Sequence, residues 1–124
     1  MMYPYLQVAA GAAIGAVCRF AVYRAVPLQW GSYGVATLLV NVAGSFVMGV
    51  LAALLALRLG NAWAPFLMTG ILGGFTTFSA FSLDVLSMWE RGQALAASLY
   101  ILGSVTLSLL AVVAGLALGR GLWA

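Results

Sequence analysis

The sequence GILGGFTTFSAFS, residues 70–82, sits inside a chain that otherwise reads as apolar helix. Gly70, Gly73 and Gly74 fall within its first five residues. Hydroxyls and phenyl rings then intermingle at Thr76, Thr77, Phe78, Ser79, Phe81 and Ser82. Glycine releases backbone from helical geometry, and β-branched threonines weaken helix propensity slightly. These residues predict a helix broken at the glycines. In a bilayer, non-helical backbone is tolerated only where protein buries it or where it lines a cavity. Carbonyls freed at that depth make a ready site for a monovalent cation. The plainer alternative is a glycine-rich crossing of two helices, with Phe78 and Phe81 as ordinary packing.

Composition supports the membrane setting. Of the 124 residues, 65% are hydrophobic and 6% are charged. Soluble domains carry about 25% charged residues, and a soluble fold of this size could not hide so much apolar surface. The expected class is all-α integral membrane. A span needs about 20 apolar residues, and four fit: residues 5–23, 35–57, 63 or 65 to 88, and 94–118. Pro27, Gly31 and Gly34 mark the first turn, Arg58, Gly60 and Asn61 the second, and Glu90, Arg91 and Gly92 the third. Almost nothing is left over, so residues 1–124 are expected to form one domain whose function lies within the bilayer. The N-terminus lacks the basic region of a cleaved signal, and the first helix is expected to stay as a span. The runs are too long and too continuously apolar for the strands of a β-barrel.

The five basic residues are all arginines, and Asp84 and Glu90 are the only acids, for a net charge of +3. Charge this sparse and spread out is no nucleic-acid footprint. Histidine is absent, and Cys18 is a single cysteine in an apolar run, so neither a His/Cys metal motif nor an internal disulfide is available. Four spans place Arg58 and Arg120 on one side, and Arg24 and Arg91 on the other, with Arg19 about a turn deeper. Arginine and lysine imbalance normally orients a membrane protein, and here it nearly cancels. Either a partner protein fixes the topology, or chains insert both ways and pair as an antiparallel homodimer. The pairs Gly11/Gly15, Ser45/Gly49, Gly70/Gly74 and Gly115/Gly119 fit the small-xxx-small pattern of close helix packing.

Polar residues recur where lipid-facing ones are expected. Thr37, Asn41 and Ser45 stand at spacing four, as do Tyr100, Ser104 and Ser108, which stacks each set on one helix face. Thr106 lies off that face. Serine and threonine hydroxyls can bond to their own helix, but the Asn41 amide needs a helix partner, water or a substrate. No carboxylate lies at mid-depth; Asp84 is a turn or two from the end of the third span. A proton-coupled cation exporter would want one, and a cation channel would want carbonyl rings or carboxylates. Hydroxyls, an amide and the positive edges of phenyl rings favour a small anion instead. A small dimeric multidrug exporter shares the four short spans, but it needs a buried glutamate that residues 5–23 lack. A membrane scaffold subunit would leave the two aligned polar tracks without a purpose.

The motifs GAAIGAVCRF (11–20), TLLVNVAGSFVMG (37–49) and GILGGFTTFSAFS (70–82) together resemble the bacterial fluoride channels, the CrcB or Fluc family. The likeness covers nearly the whole chain. It implies an antiparallel, dual-topology homodimer in the bacterial inner membrane, with the third helix broken at mid-membrane. It implies two pores that export fluoride passively, with lipid and a second copy as partners, no other protein partner, and no enzymatic step. By the same resemblance, Phe78 and Phe81 present ring edges to the ion, and Asn41 and Thr37 belong to the pore. Ser79, Ser82, Tyr100, Ser104 and Ser108 complete it, Ser82 ahead of Ser79 and the fourth-helix positions with the least compact motif. Arg19 matches a vestibule arginine, and the backbone carbonyls of Gly73 and Thr76 match the ligands of a central structural sodium ion. Ala80 stands where the family often has threonine, which removes one hydroxyl from the motif.

Overall fold

The computed structural model describes residues 3–27 and 34–124. The expected turn residue Gly31 lies outside these described residues. The chain is helical, and four segments are long and apolar enough to cross a membrane: Tyr3–Ala25, Val35–Leu59, Asn61–Glu90 and Ala94–Trp123. The first and last helices run past their expected ends because the flanking residues, Tyr3 at one end and Trp123 at the other, suit a membrane interface and do not stop a helix.

Helix α1 (Tyr3–Ala25) is followed by α2 (Val35–Leu54), whose last turn relaxes into π geometry over Leu55–Leu59. Gly60 ends it with φ 72°, ψ −172°, a conformation open essentially to glycine. A 3₁₀ turn, Asn61–Trp63, leads into the third span. That span begins as a π-wound stretch, Pro65–Leu72, with Pro65 at its first position, where a missing N–H does no harm. One α turn, Gly73–Phe75, follows. Regular helix resumes as α3 (Ser79–Glu90), and α4 (Ala94–Trp123) completes the chain.

Gly70, Gly73 and Gly74 were expected to open the backbone, but all three lie within helical segments, and Gly73 has φ −62°. Two of them serve close packing instead. α1 packs chiefly against the first half of the third span, and α2 packs chiefly against α4. A Cβ on Gly70 would sit 2.9 Å from the Gly11 Cα, and one on Gly74 would sit 2.7 Å from the Ala12 carbonyl oxygen. In return, Gly11 faces the Phe66 carbonyl and Gly15 the Ile71 carbonyl. The α2–α4 seam repeats the device, with Gly49 against the Val112 carbonyl and Gly115 against the Phe46 carbonyl. In lipid there is little hydrophobic drive between helices, so such backbone-to-backbone approach supplies much of the packing energy. The buried cluster of Phe81, Met88, Ala97 and Tyr100 ties α3 to α4.

This packing sets a test. Gly115→Ala forces a methyl onto the Phe46 carbonyl and should destabilise the fold by about 1–3 kcal/mol, the usual overpacking range. Gly103→Ala is the control, because nothing lies within 4 Å of the added carbon, and alanine gains up to about 1 kcal/mol of helix propensity. Thermal unfolding in detergent should show Gly115→Ala well below the parent and Gly103→Ala at or above it. Equal midpoints would refute the seam.

Candidate functional site

The third span changes course after its glycines. Phe75 is the last residue of the α turn, and Thr76 is extended at φ −87°, ψ 158°. Thr76 still closes the segment behind it: its N–H and its hydroxyl both donate to the Leu72 carbonyl at 3.0 Å. Thr77 is buried, and its peptide group would be stranded there without partners, at a cost of several kcal/mol in an apolar setting. Asn41 on α2 serves it from both sides. The Thr77 N–H donates to Asn41 Oδ1 at 2.8 Å, and Asn41 Nδ2 donates to the Thr77 carbonyl at 2.9 Å. The pairing also fixes which way the amide points, since a flipped amide would oppose donor to donor and acceptor to acceptor. The Thr77 hydroxyl accepts the Ala80 N–H at 3.1 Å and lies 3.3 Å from Ser79 Oγ. Thr77 stands one residue before the N-cap Phe78, and its hydroxyl serves one of the N–H groups in the first turn of α3.

Beside this turn lies a groove of about 410 Å³. Its polar lining comes from Asn41 and Ser45 on α2, from Thr76 and Thr77, and from Ser104 and Ser108 on α4. Phe78 and Phe81 form its aromatic edge. Their ring centroids are 5.4 Å apart with planes tilted by 43°. Phe81 is buried, while Phe78 is 77% exposed. Phe81 in turn stacks on Tyr100 at 5.2 Å, and the Tyr100 hydroxyl donates to Asp84 Oδ2 at 2.9 Å. Among the described residues lining the groove, none is charged. Ser104 is buried, and its Oγ has no hydrogen-bond partner among the described residues. A buried hydroxyl left without a partner costs about 1–3 kcal/mol, so this one is free to serve a group that enters the groove.

The groove gathers Asn41, Phe78, Phe81, Ser104 and Ser108 from the residues that the sequence singled out, together with Thr76. Others stand apart from it. The exposed Ser82 turns its hydroxyl back to the Phe78 carbonyl at 3.0 Å. Thr37 is buried and hydrogen-bonded to Tyr23. Ser79, Tyr100 and Arg19 are not part of the lining, although Tyr100 backs Phe81. Ser45 and Thr77 line the groove and were not singled out as site residues. Ser45 was visible as the third member of the spacing-four track, and Thr77 as a hydroxyl inside the motif.

A family model described as CrcB-like protein, Camphor Resistance (CrcB), matches residues 6–116. The chain belongs to the CrcB family. Proteins named fluoride-specific ion channel FluC are similar along its whole length. One from Paracoccus denitrificans (strain Pd 1222) is 54% identical over 124 residues, covering all of both chains. One from Cereibacter sphaeroides (strain ATCC 17029 / ATH 2.4.9) is 52% identical over 122 residues, 98% of each. A fluoride-specific ion channel FluC 2 from Nitrobacter hamburgensis is 48% identical, over 95% of this chain and 98% of its own. With its four apolar spans, this CrcB-family chain is a multi-pass membrane protein.

The Asn41–Thr77 pairing orders two substitutions. Asn41→Asp sets a carboxylate oxygen against the Thr77 carbonyl and should cost about 1–3 kcal/mol or more. Thr77→Ala keeps the backbone pairing and loses the hydroxyl's contacts with the Ala80 N–H and Ser79, worth about 1 kcal/mol. Thermal unfolding should therefore rank the parent first, Thr77→Ala second and Asn41→Asp last. The reverse order of the two variants would show that Asn41 does not hold the turn.

Proposed function

We propose that this protein is a fluoride-selective channel that lets fluoride leave the cell passively, in the bacterial inner membrane. The observation that carries the chemistry is the orphan Ser104 hydroxyl in a groove edged by Phe78 and Phe81 and free of charged lining among the described residues. The ion itself is taken from the names of the full-length relatives. Fluoride is small and strongly hydrated, so no single contact replaces its water. A run of weak donors can replace it stepwise: the hydroxyls of Ser104 and Ser108, the second N–H of Asn41 and the positive ring edges. Conduction needs exit as well as entry, which weak and multiple sites permit. No bond is made or broken, so the protein is not an enzyme. The turn at Thr76 and Thr77 falls about midway between Trp63 and Trp89. Those two tryptophans suit the two membrane interfaces, which puts the broken third helix at mid-membrane in this reading.

In the same reading the groove is completed by a second, antiparallel copy, and the pair holds two pores. The near-balance of arginines across the spans supports it. A central sodium ion fits the backbone of the turn. In a continuous helix the Thr77 N–H would serve the Gly73 carbonyl, and the Ala80 N–H the Thr76 carbonyl. Here those donors go to Asn41 Oδ1 and Thr77 Oγ1. The carbonyls of Gly73 and Thr76 are thereby released from their helical donors and would hold the ion. When bound, sodium would supply a fixed positive charge near the anion path.

Two experiments test the proposal. Liposomes reconstituted with the parent should release fluoride and retain chloride. Phe78→Ile and Phe81→Ile should each slow fluoride release about tenfold, the upper range of an aromatic contribution, at matched protein content. Parent-like release in both variants would place the ion elsewhere. Tags at the C-terminus should be reached from both sides of the membrane. Protection of every tag from one side would end the dual-topology reading.

A further inference from the structure

Helix α1 presents one stripe to the rest of the chain. Gln7, Gly11, Gly15, Arg19 and Tyr23 recur at spacing four. The first three are buried. Gln7 Nε2 donates to the Ala62 carbonyl at 3.2 Å, and the two glycines seat the third span. The stripe ends in a phenol with a different neighbour. The Tyr23 hydroxyl is hydrogen-bonded to Thr37 Oγ1, near the start of α2. Thr37 is 1% exposed. The pair borders a second cavity of about 100 Å³, walled also by Pro27, Gly34 and Asp84.

Thr37 stands one turn before Asn41 on the face that carries the polar track. Its hydroxyl is nonetheless sealed, because the Tyr23 phenol is hydrogen-bonded to the oxygen, the Tyr100 phenol lies beside it, and burial closes the rest. Tyr23 borders the cavity, which gives its side chain adjoining space. A neutral hydroxyl–hydroxyl bond is weak enough to open thermally. Asp84 shares the cavity, and one of its oxygens already accepts the Tyr100 hydroxyl. A relay of contacts, Phe81 to Tyr100 to Asp84, therefore links the groove to the second cavity.

We propose that Tyr23 is a positioning residue that latches Thr37, so that the anion engages the Thr37 hydroxyl only when the phenol has swung off it. The latch rests on the fluoride-channel reading for its role in transport, and on geometry alone for its existence.

Fluoride efflux from liposomes at matched protein is the first test. Tyr23→Phe removes the bond and should raise efflux three- to tenfold, the population factor of one net hydrogen bond. In a Thr37→Val background, Tyr23→Phe should add nothing. An unchanged or lower rate in Tyr23→Phe, or the same gain in the Thr37→Val background, overturns the latch. Tyr23→Leu, which also lacks the hydroxyl, replaces Tyr23→Phe if that variant does not assemble. The second test needs no transport. With the exposed Cys18 removed by Cys18→Ser, a thiol introduced by Ala36→Cys, beside Thr37 on the wall of the second cavity, should react with a small methanethiosulfonate reagent three- to tenfold faster after Tyr23→Phe. Equal rates overturn the latch whatever the ion. A parent that passes no fluoride overturns the channel reading and leaves the thiol result to decide the latch.

Discussion

One side-chain amide holds the third span open. Asn41 meets the Thr77 peptide on both its edges, at 2.8 and 2.9 Å. Without it the extended turn would leave a buried N–H and a buried carbonyl unpaired, and the segment would gain by winding into helix. A continuous helix would turn Phe78 away from its present place, and it would tie up the carbonyls of Gly73 and Thr76. The groove, its aromatic edge and the start of α3 thus depend on a contact between α2 and the middle of the third span. The Thr77 hydroxyl adds a bond to the Ala80 N–H in the first turn of α3, and the helix restarts within two residues.

The clamp works only because α2 and the third span are themselves fixed in place. That is the work of glycine. Gly15 against the Ile71 carbonyl, and Gly49 and Gly115 across the α2–α4 seam, bring backbones to distances that any side chain would forbid. Membrane helices lack the hydrophobic drive that packs a soluble core, so register must come from such close contacts. Register here is tight enough to bring an α2 amide onto the N–H and carbonyl of one residue of the third span.

Much of this could be read from the sequence, and the reasons differ by residue. Hydropathy and length located four spans to within a few residues, because the bilayer sets one scale for all of them. Asn41 declared itself, since an amide in an apolar helix must find a partner. The partner itself was not legible, because it is a backbone group some distance along the chain. The position of the turn was misread for a related reason. Glycine has two uses, freedom and closeness, and local sequence does not say which one applies. Gly70 and Gly74 are spent on closeness to α1, and the backbone opens at Thr76 and Thr77 instead. Tyr23 and Asp84 went unnoticed as neighbours of the track because each stands on a different helix from its partner, Thr37 and Tyr100 respectively.

The chemistry of the lining bears on why an anion path should avoid fixed charge. At an effective dielectric of about 20, a full charge 4 Å from a monovalent anion contributes about 4 kcal/mol. At 1.36 kcal/mol per tenfold, that would slow escape about a thousandfold. A hydroxyl is worth only about 1 kcal/mol net, and a phenyl edge about as much. Several such contacts in sequence can offset the loss of hydration without any one of them holding the ion. Arg19, Arg24 and Arg91 all lie outside the groove lining, toward the ends of their spans. In the proposed channel, arginines placed there would raise the local concentration of the anion and leave its passage to Ser104, Ser108 and the two phenylalanines. A groove that bound its ion with an arginine would be a better receptor and a poorer channel.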